Sequence, residues 1–267
     1  MENIFENNRA AWNEALGYHK KARGDSLQSR FENSEFTTFD RDCDQMQLHK
    51  IEAFGLRDKT IGQLPCNNGR ELLSLMRYLG AGAAYGFDIS DTAIGEAKQL
   101  AEISGISAIF ERINVLEISD KYNGMFDFIY ISEGSLQWFP DIRAYFAVVS
   151  RLLKMGGHIL IYEIHPFAYF FETGYTLGEP DIEKIPSYFD REPHSYPHGL
   201  DYVGGTEYEA SECFWYMHKM SDIINAVLKS GFDLLEFEEY NIEMANTEAA
   251  KATDKLPLSY IISGKKR

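Results

Sequence analysis

Asp88 ends an apolar run in the segment Gly86-Phe87-Asp88-Ile89-Ser90, about twenty residues after the turn Asn67-Asn68-Gly69. That turn is preceded by a short apolar run, Ile61 to Leu64, and opens directly into a helix marked by Leu72, Leu75, Met76 and Leu79. Such an order suits a nucleotide-like ligand. A tight turn lets the backbone approach closely, and a helix N-terminus offers free N–H groups. A carboxylate at the end of the next strand accepts hydrogen bonds from both ribose hydroxyls. Asn and Gly also build ordinary strand-to-helix turns, so the ligand reading draws its weight from the spacing to Asp88. Further along, Glu133 closes another apolar run, where a carboxylate either favours a nearby cation or is solvated. His165 follows a later strand beside Glu163 and is either a proton acceptor for a hydroxyl or amine, or a structural histidine bonded to a carbonyl. Cys66 reads as a small packing residue rather than a reactive thiol. His194, His198 and His218 sit among prolines and glycines, without metal-ligand spacing, and no metal is expected.

These residues need strands and helices to place them. A helix over 7–22 follows from the i,i+4 pairs Ala11/Ala15 and Trp12/Leu16. Residues 25–42 read as irregular, and a second helix covers 44–54. Strands are expected at 61–64, 83–87, 106–110, 126–131 and 158–164. Between them lie a helix closed by Gly80, a helix capped by Ser90, and one after Pro140. Ser221 is a candidate cap for a last helix, followed by strands at 232–237 and 259–263 that could pair antiparallel. Alternating strands and helices imply a doubly wound α/β sheet with its ligand at the carboxyl ends of the strands. The stretch 165–219 is too long for a simple loop and is dense in aromatics. It reads as an insertion folded over the strand ends, with a hairpin expected from the alternation in 206–214. The division is then 1–59 as an N-terminal helical extension, 60–164 as the binding core, 165–219 as the insertion, and 220–267 as the rest of the sheet.

The chain has 267 residues and a formal net charge of -15. An acidic surface repels phosphate backbones and anionic lipid, so neither nucleic acid nor membrane is expected as a partner. Three cysteines with no CxxC pair argue against a disulfide framework and a zinc site. No leader pattern or membrane-length apolar run is seen, so a cytoplasmic protein is expected, monomeric or homodimeric.

From Thr60 onward the order of elements and motifs resembles the class I S-adenosylmethionine-dependent methyltransferases, in a branch acting on small molecules. The resemblance implies a Rossmann-like, mostly parallel seven-stranded sheet with an antiparallel last strand. It implies S-adenosyl-L-methionine as cofactor and a small-molecule methyl acceptor. The family's first motif, an acid followed by alternating glycines, corresponds to Gln63, Cys66, Asn67, Asn68 and Gly69, with only the last glycine kept. Asp88 takes the ribose position and Ile89 packs on adenine. Asn114 and Val115 take the adenine-end positions, and Ser132, Glu133 and Gly134 line the pocket near the sulfonium. Trp12, on the first helix, either closes over the cofactor or packs on the sheet edge. His165 and Glu133 are the catalytic candidates. Two alternatives remain open: a non-catalytic S-adenosylmethionine-binding regulator, and a nicotinamide-dependent oxidoreductase. The second lacks a GxGxxG turn.

Overall fold

The computed structural model describes residues 2–24, 26–39, 42–172, 187–195, 199–242 and 255–267. Eight helices occur among them: α1 (Glu2–Arg23), α2 (Ser26–Glu32), α3 (Asp42–Glu52), α4 (Arg70–Leu79), α5 (Asp91–Ser104), α6 (Ile142–Leu152), α7 (Tyr169–Glu172) and α8 (Met220–Lys229). The strands are β1 (Thr60–Gln63), β2 (Ala83–Asp88), β3 (Ile109–Arg112), β4 (Phe126–Ile131), β5 (Leu153–Ile164), β6 (His194–Ser195), β7 (Phe214–Trp215), β8 (Phe232–Tyr240) and β9 (Ser259–Lys266). Seven of them form one sheet in the order β3-β2-β1-β4-β5-β9-β8. Pairing is parallel from β3 to β5, and β9 runs antiparallel to both β5 and β8. The expected doubly wound sheet with an antiparallel last strand is therefore present. The strand order reverses between β1 and β4, which opens a crevice at their carboxyl ends.

Apolar alternation explains the two layers. Ile129 and Ile131 pack into the core under α6 and α8, while Phe128 and Tyr130 pack into the core under α3, α4 and α5. Helix ends follow local chemistry. Gly80 and Gly105 close α4 and α5 in the left-handed region, and the Ser90 side chain accepts from the Ala93 N–H to cap α5. α1 runs along α5, tied by Asn13 to Ser90 and Thr92 and by Arg23 to Glu96 at 3.1 Å.

Several expectations need correction. Residues 26–32 are helical, not irregular, because Leu27 and Phe31 form an i,i+4 pair buried against the sheet layer. β3 starts at Ile109 rather than 106, since the Ile106 N–H is spent on Ala101 O at the end of α5. β5 begins at Leu153, with Gly156 at φ 75 where the register slips, rather than after a Gly-Gly turn. Lys219, not Ser221, is the N-cap of α8. The 206–214 hairpin does not form. Asp201 draws the Gly204 and Thr206 N–H groups into a turn, and α1 side chains take the strand-like groups that follow. The Asn8 amide bonds both the Phe214 N–H and C=O at 2.8 Å, and Glu14 accepts from Ser211 N–H at 2.9 Å. The short ribbon that does form pairs β6 with β7. Tyr175, Tyr196 and His198 lie outside the described residues.

Candidate active site

The turn after β1 replaces glycines with side-chain hydrogen bonds. Asn67 stands at φ 48, its Oδ1 accepts from the Asn68 N–H at 2.7 Å, and its own N–H donates to Asp88 Oδ2 at 2.8 Å. The Asn68 amide reaches Glu96 on α5 at 3.1 Å. Gly69 is irreplaceable for two reasons. Its φ is 71, and a Cβ there would stand 2.6 Å from the Phe110 ring. The left-handed positions of Asn67 and Gly69 swing the backbone from β1 into α4, whose first two residues are Arg70 and Glu71.

Asp88 closes β2 with 8% exposure. Its Oδ1 accepts from Ser90 N–H at 2.9 Å while Oδ2 serves Asn67, so the carboxylate ties the turn to the strand end. Burial pushes its carboxyl up to about 6, against the pull of those backbone donors. Each oxygen keeps lone-pair capacity for a ligand hydroxyl.

A cavity of about 840 Å³ lies over these strand ends. It is lined by Asn67, Asp88, Ile89, Asn114 and Val115 on one side and by Ser132, Glu133 and Gly134 beyond β4. Trp12 and Leu16 of α1, with Asp201 and Tyr202 from the segment before β7, cover it. Trp12 packs edge-on against Trp138 at 5.3 Å and Tyr202 at 6.4 Å, so α1 roofs the cavity rather than merely flanking the sheet. The roof is fastened by His19, whose Nε2 bonds Leu200 O at 2.9 Å, and by Tyr18 stacked on Tyr208 at 4.1 Å.

Gln63, Cys66, Asn68 and Gly69 stand behind the cavity wall. Gln63 is fully buried, and its amide donates to Glu71 and to Ser132 Oγ, both at 3.1 Å, bracing two lining residues from beneath. Cys66 is buried, and burial holds its thiol well above the usual range, as a packing role requires. Asn68 and Gly69 shape the turn without lining the cavity. Asn114 lines it, and its Oδ1 also caps the short helical turn after β3 through Leu116 N–H at 3.1 Å.

His165 does not fit the role of base. Its Nδ1 accepts from the Phe167 N–H at 3.2 Å, which leaves the proton on Nε2, directed to Glu239 at 3.0 Å. Both ring nitrogens are engaged, burial lowers its pKa, and it is absent from the cavity wall. His194 stacks on Trp215 at 4.4 Å, whereas His218 bonds Phe139 O at 2.9 Å; the two are held by different partners. Among the described residues no three His, Cys, Asp or Glu side chains gather for a metal ion, and no helix is long and apolar enough to cross a membrane.

Other lining residues were not anticipated from sequence. Arg70 joins Glu71 at 2.7 Å, and that neighbouring carboxylate secures the guanidinium charge. Their place at the first turn of the helix after the Asn-Asn-Gly turn was the available signal. Tyr130 donates to Gln47, whose amide donates to Asp44 at 3.2 Å, so α3 supplies polar side chains to the cavity lining. This arrangement had no local signature, because it joins elements over eighty residues apart.

Comparison with known proteins agrees with this geometry. Residues 61–157 match the family described as Methyltransferase domain. An S-adenosylmethionine-dependent methyltransferase from Mesorhizobium loti superposes with a TM-score of 0.60 at 22% identity, covering 85% of this chain and 100% of that one. A methyltransferase of the same kind from Methanosarcina mazei gives 0.59 at 19%, covering 81% and 96%. Geranyl diphosphate C-methyltransferase from Streptomyces coelicolor, solved with S-adenosyl-L-homocysteine, gives 0.57 at 11%, covering 84% and 79%. At these identities the solved structures share the fold. Residues 61–157 thus match the Methyltransferase domain family, and the chain shares the fold of S-adenosylmethionine-dependent methyltransferases.

Proposed function

We propose that the roofed cavity holds S-adenosylmethionine together with a small-molecule methyl acceptor. The observation that carries this is the enclosure itself. About 840 Å³ lies between the strand ends and a roof of α1 and residues 199–208, within the range that encloses one drug-sized ligand and its neighbour. A folded macromolecule cannot pass under such a roof, and a net charge of -15 disfavours nucleic acid.

The chain's own residues fit the cofactor's chemistry. Asp88 accepts from the ribose hydroxyls, with Ile89, Asn114 and Val115 around the adenine. Arg70 offers a cation to the methionine carboxylate, and Glu71 and Glu133 offer carboxylates to its ammonium and sulfonium. When bound, S-adenosylmethionine supplies an already activated methyl group, which passes to a nucleophile on the acceptor. The site therefore needs positioning and exclusion of water more than a strong base. Glu133, which lines the cavity, favours positive charge and receives an acceptor proton.

The test is transfer from methyl-labelled S-adenosylmethionine to a low-molecular-weight filtrate of cell extract and, separately, to its macromolecular fraction. Label in the filtrate is expected. Label confined to protein or nucleic acid would overturn the small-molecule reading.

A further inference from the structure

At the end of β5, Glu163 is 2% exposed, and its carboxylate is surrounded by backbone donors. It accepts from Ser135 N–H at 2.8 Å, Leu136 N–H at 2.9 Å, Ile164 N–H at 2.7 Å, and from the Gly134 N–H. Three of these belong to the turn after β4, where Gly134 takes φ 70 before a 3₁₀ turn at Leu136–Trp138. That turn presents Ser132, Glu133, Gly134, Ser135, Gln137 and Trp138 to the cavity. Its far side is held too, by the Tyr216 N–H donating to Gln137 O at 2.8 Å. Glu163 does not itself line the cavity.

We propose that Glu163 is a positioning residue for methyl transfer: through the backbone of residues 134–136 it sets where Glu133 and Gly134 stand in the cavity. The proposal rests on the reading of that cavity as the cofactor and acceptor site. An ionised carboxylate is an acceptor at both oxygens and so matches converging N–H groups. A protonated acid or an amide carries a donor of its own, which would face one of those N–H groups and push the turn away.

Burial drives the Glu163 carboxyl up to about 7, opposed by the four backbone donors, so its charge is complete only above neutrality. Tyr145 of α6 and Tyr260 of β9 face it, and burial, with the Glu163 charge, holds both phenols well above their ordinary value. Neither titrates in the same window. Glu133 lies in the held turn, and His165, paired with Glu239 of β8, follows two residues later. Asp88, across the cavity, titrates about one unit lower, which separates the two steps.

The experiment is calorimetric binding of S-adenosylhomocysteine to the wild type and Glu163→Gln across neutral pH. Wild-type affinity should fall as pH drops through about 7, with a second step near 6 from Asp88. Glu163→Gln should bind about tenfold more weakly above neutrality and keep only the lower step. A variant matching the wild type in affinity and pH profile overturns the proposal and leaves the cofactor reading standing. A wild type that does not bind S-adenosylhomocysteine overturns the cofactor reading instead. Should the variant not fold, amide resonances of Gly134, Ser135 and Leu136 in the wild type decide. A shared inflection near pH 7 is expected, and its absence from all three refutes the proposal.

Discussion

Replacing Asp88 by Asn separates two roles that the structure loads on one carboxylate. Its ordinary value of 3.8 against about 6 in the fold corresponds to about 3 kcal/mol of cost for keeping it ionised in the protein without ligand. The sign follows from proton binding. Between about pH 4 and 6 the folded chain holds a proton that the unfolded chain has released, so this group's contribution to stability falls as pH rises and stays lost above 6. The neutral amide of the Asp88→Asn variant would escape that cost. It would also turn its N–H₂ toward the Asn67 or Ser90 N–H, giving up one acceptor at about 1–3 kcal/mol. The two effects nearly cancel, so thermal unfolding of Asp88→Asn above neutrality should stay near that of the wild type. Binding should not be spared. Losing charge-assisted bonds to ribose hydroxyls should weaken S-adenosylmethionine by about 1.5–3 kcal/mol, roughly 10- to 150-fold, by calorimetry. An affinity within a factor of two of wild type would refute the assignment of Asp88 to the ribose.

Gly69→Ala should destabilise the fold by about 2–4 kcal/mol, because it forces a side chain into the left-handed region and against the Phe110 ring; adding Phe110→Leu should recover only the steric part in denaturant titration. Asn8→Ala removes the amide that pairs both backbone groups of Phe214, a loss of about 2 kcal/mol, and should speed hydrogen exchange in residues 199–215 while sparing β1 to β5. Cys66 and Cys213 are buried, with thiols held above their usual range, so iodoacetamide should modify neither in the native protein and both after unfolding, as read by peptide mass mapping.

The core strands were legible because β4 reads Phe-Asp-Phe-Ile-Tyr-Ile and its one interruption, Asp127, is a surface strut to Lys154 at 2.8 Å. The place of Asp88 at the end of β2 was legible because it closes an apolar run just before the Ser90 cap of α5. The roof was not. Residues 206–214 alternate like a strand, yet side chains of α1 some two hundred positions away occupy the backbone groups there, and no local pattern encodes that. Short α2 shows only one apolar i,i+4 pair, too little periodicity to register. His165 looked chemical from its position after β5, but its neighbour Glu163 has the more consequential place. A carboxylate whose partners are backbone N–H groups leaves no trace in residue types, since every residue but proline carries that donor. The loss of glycines after β1 was plain in the sequence, but not the hydrogen bonds by which Asn67 and Asn68 stabilise a turn that glycines would otherwise shape by conformational freedom alone.

A crystal structure with S-adenosylhomocysteine bound tests the central claim most directly. The nucleoside is expected in the cavity under Trp12, with both ribose hydroxyls within hydrogen-bond distance of the Asp88 carboxylate and the sulfur beside Ser132 to Gly134. A ligand seated elsewhere, or a ribose held by groups other than Asp88, would contradict it.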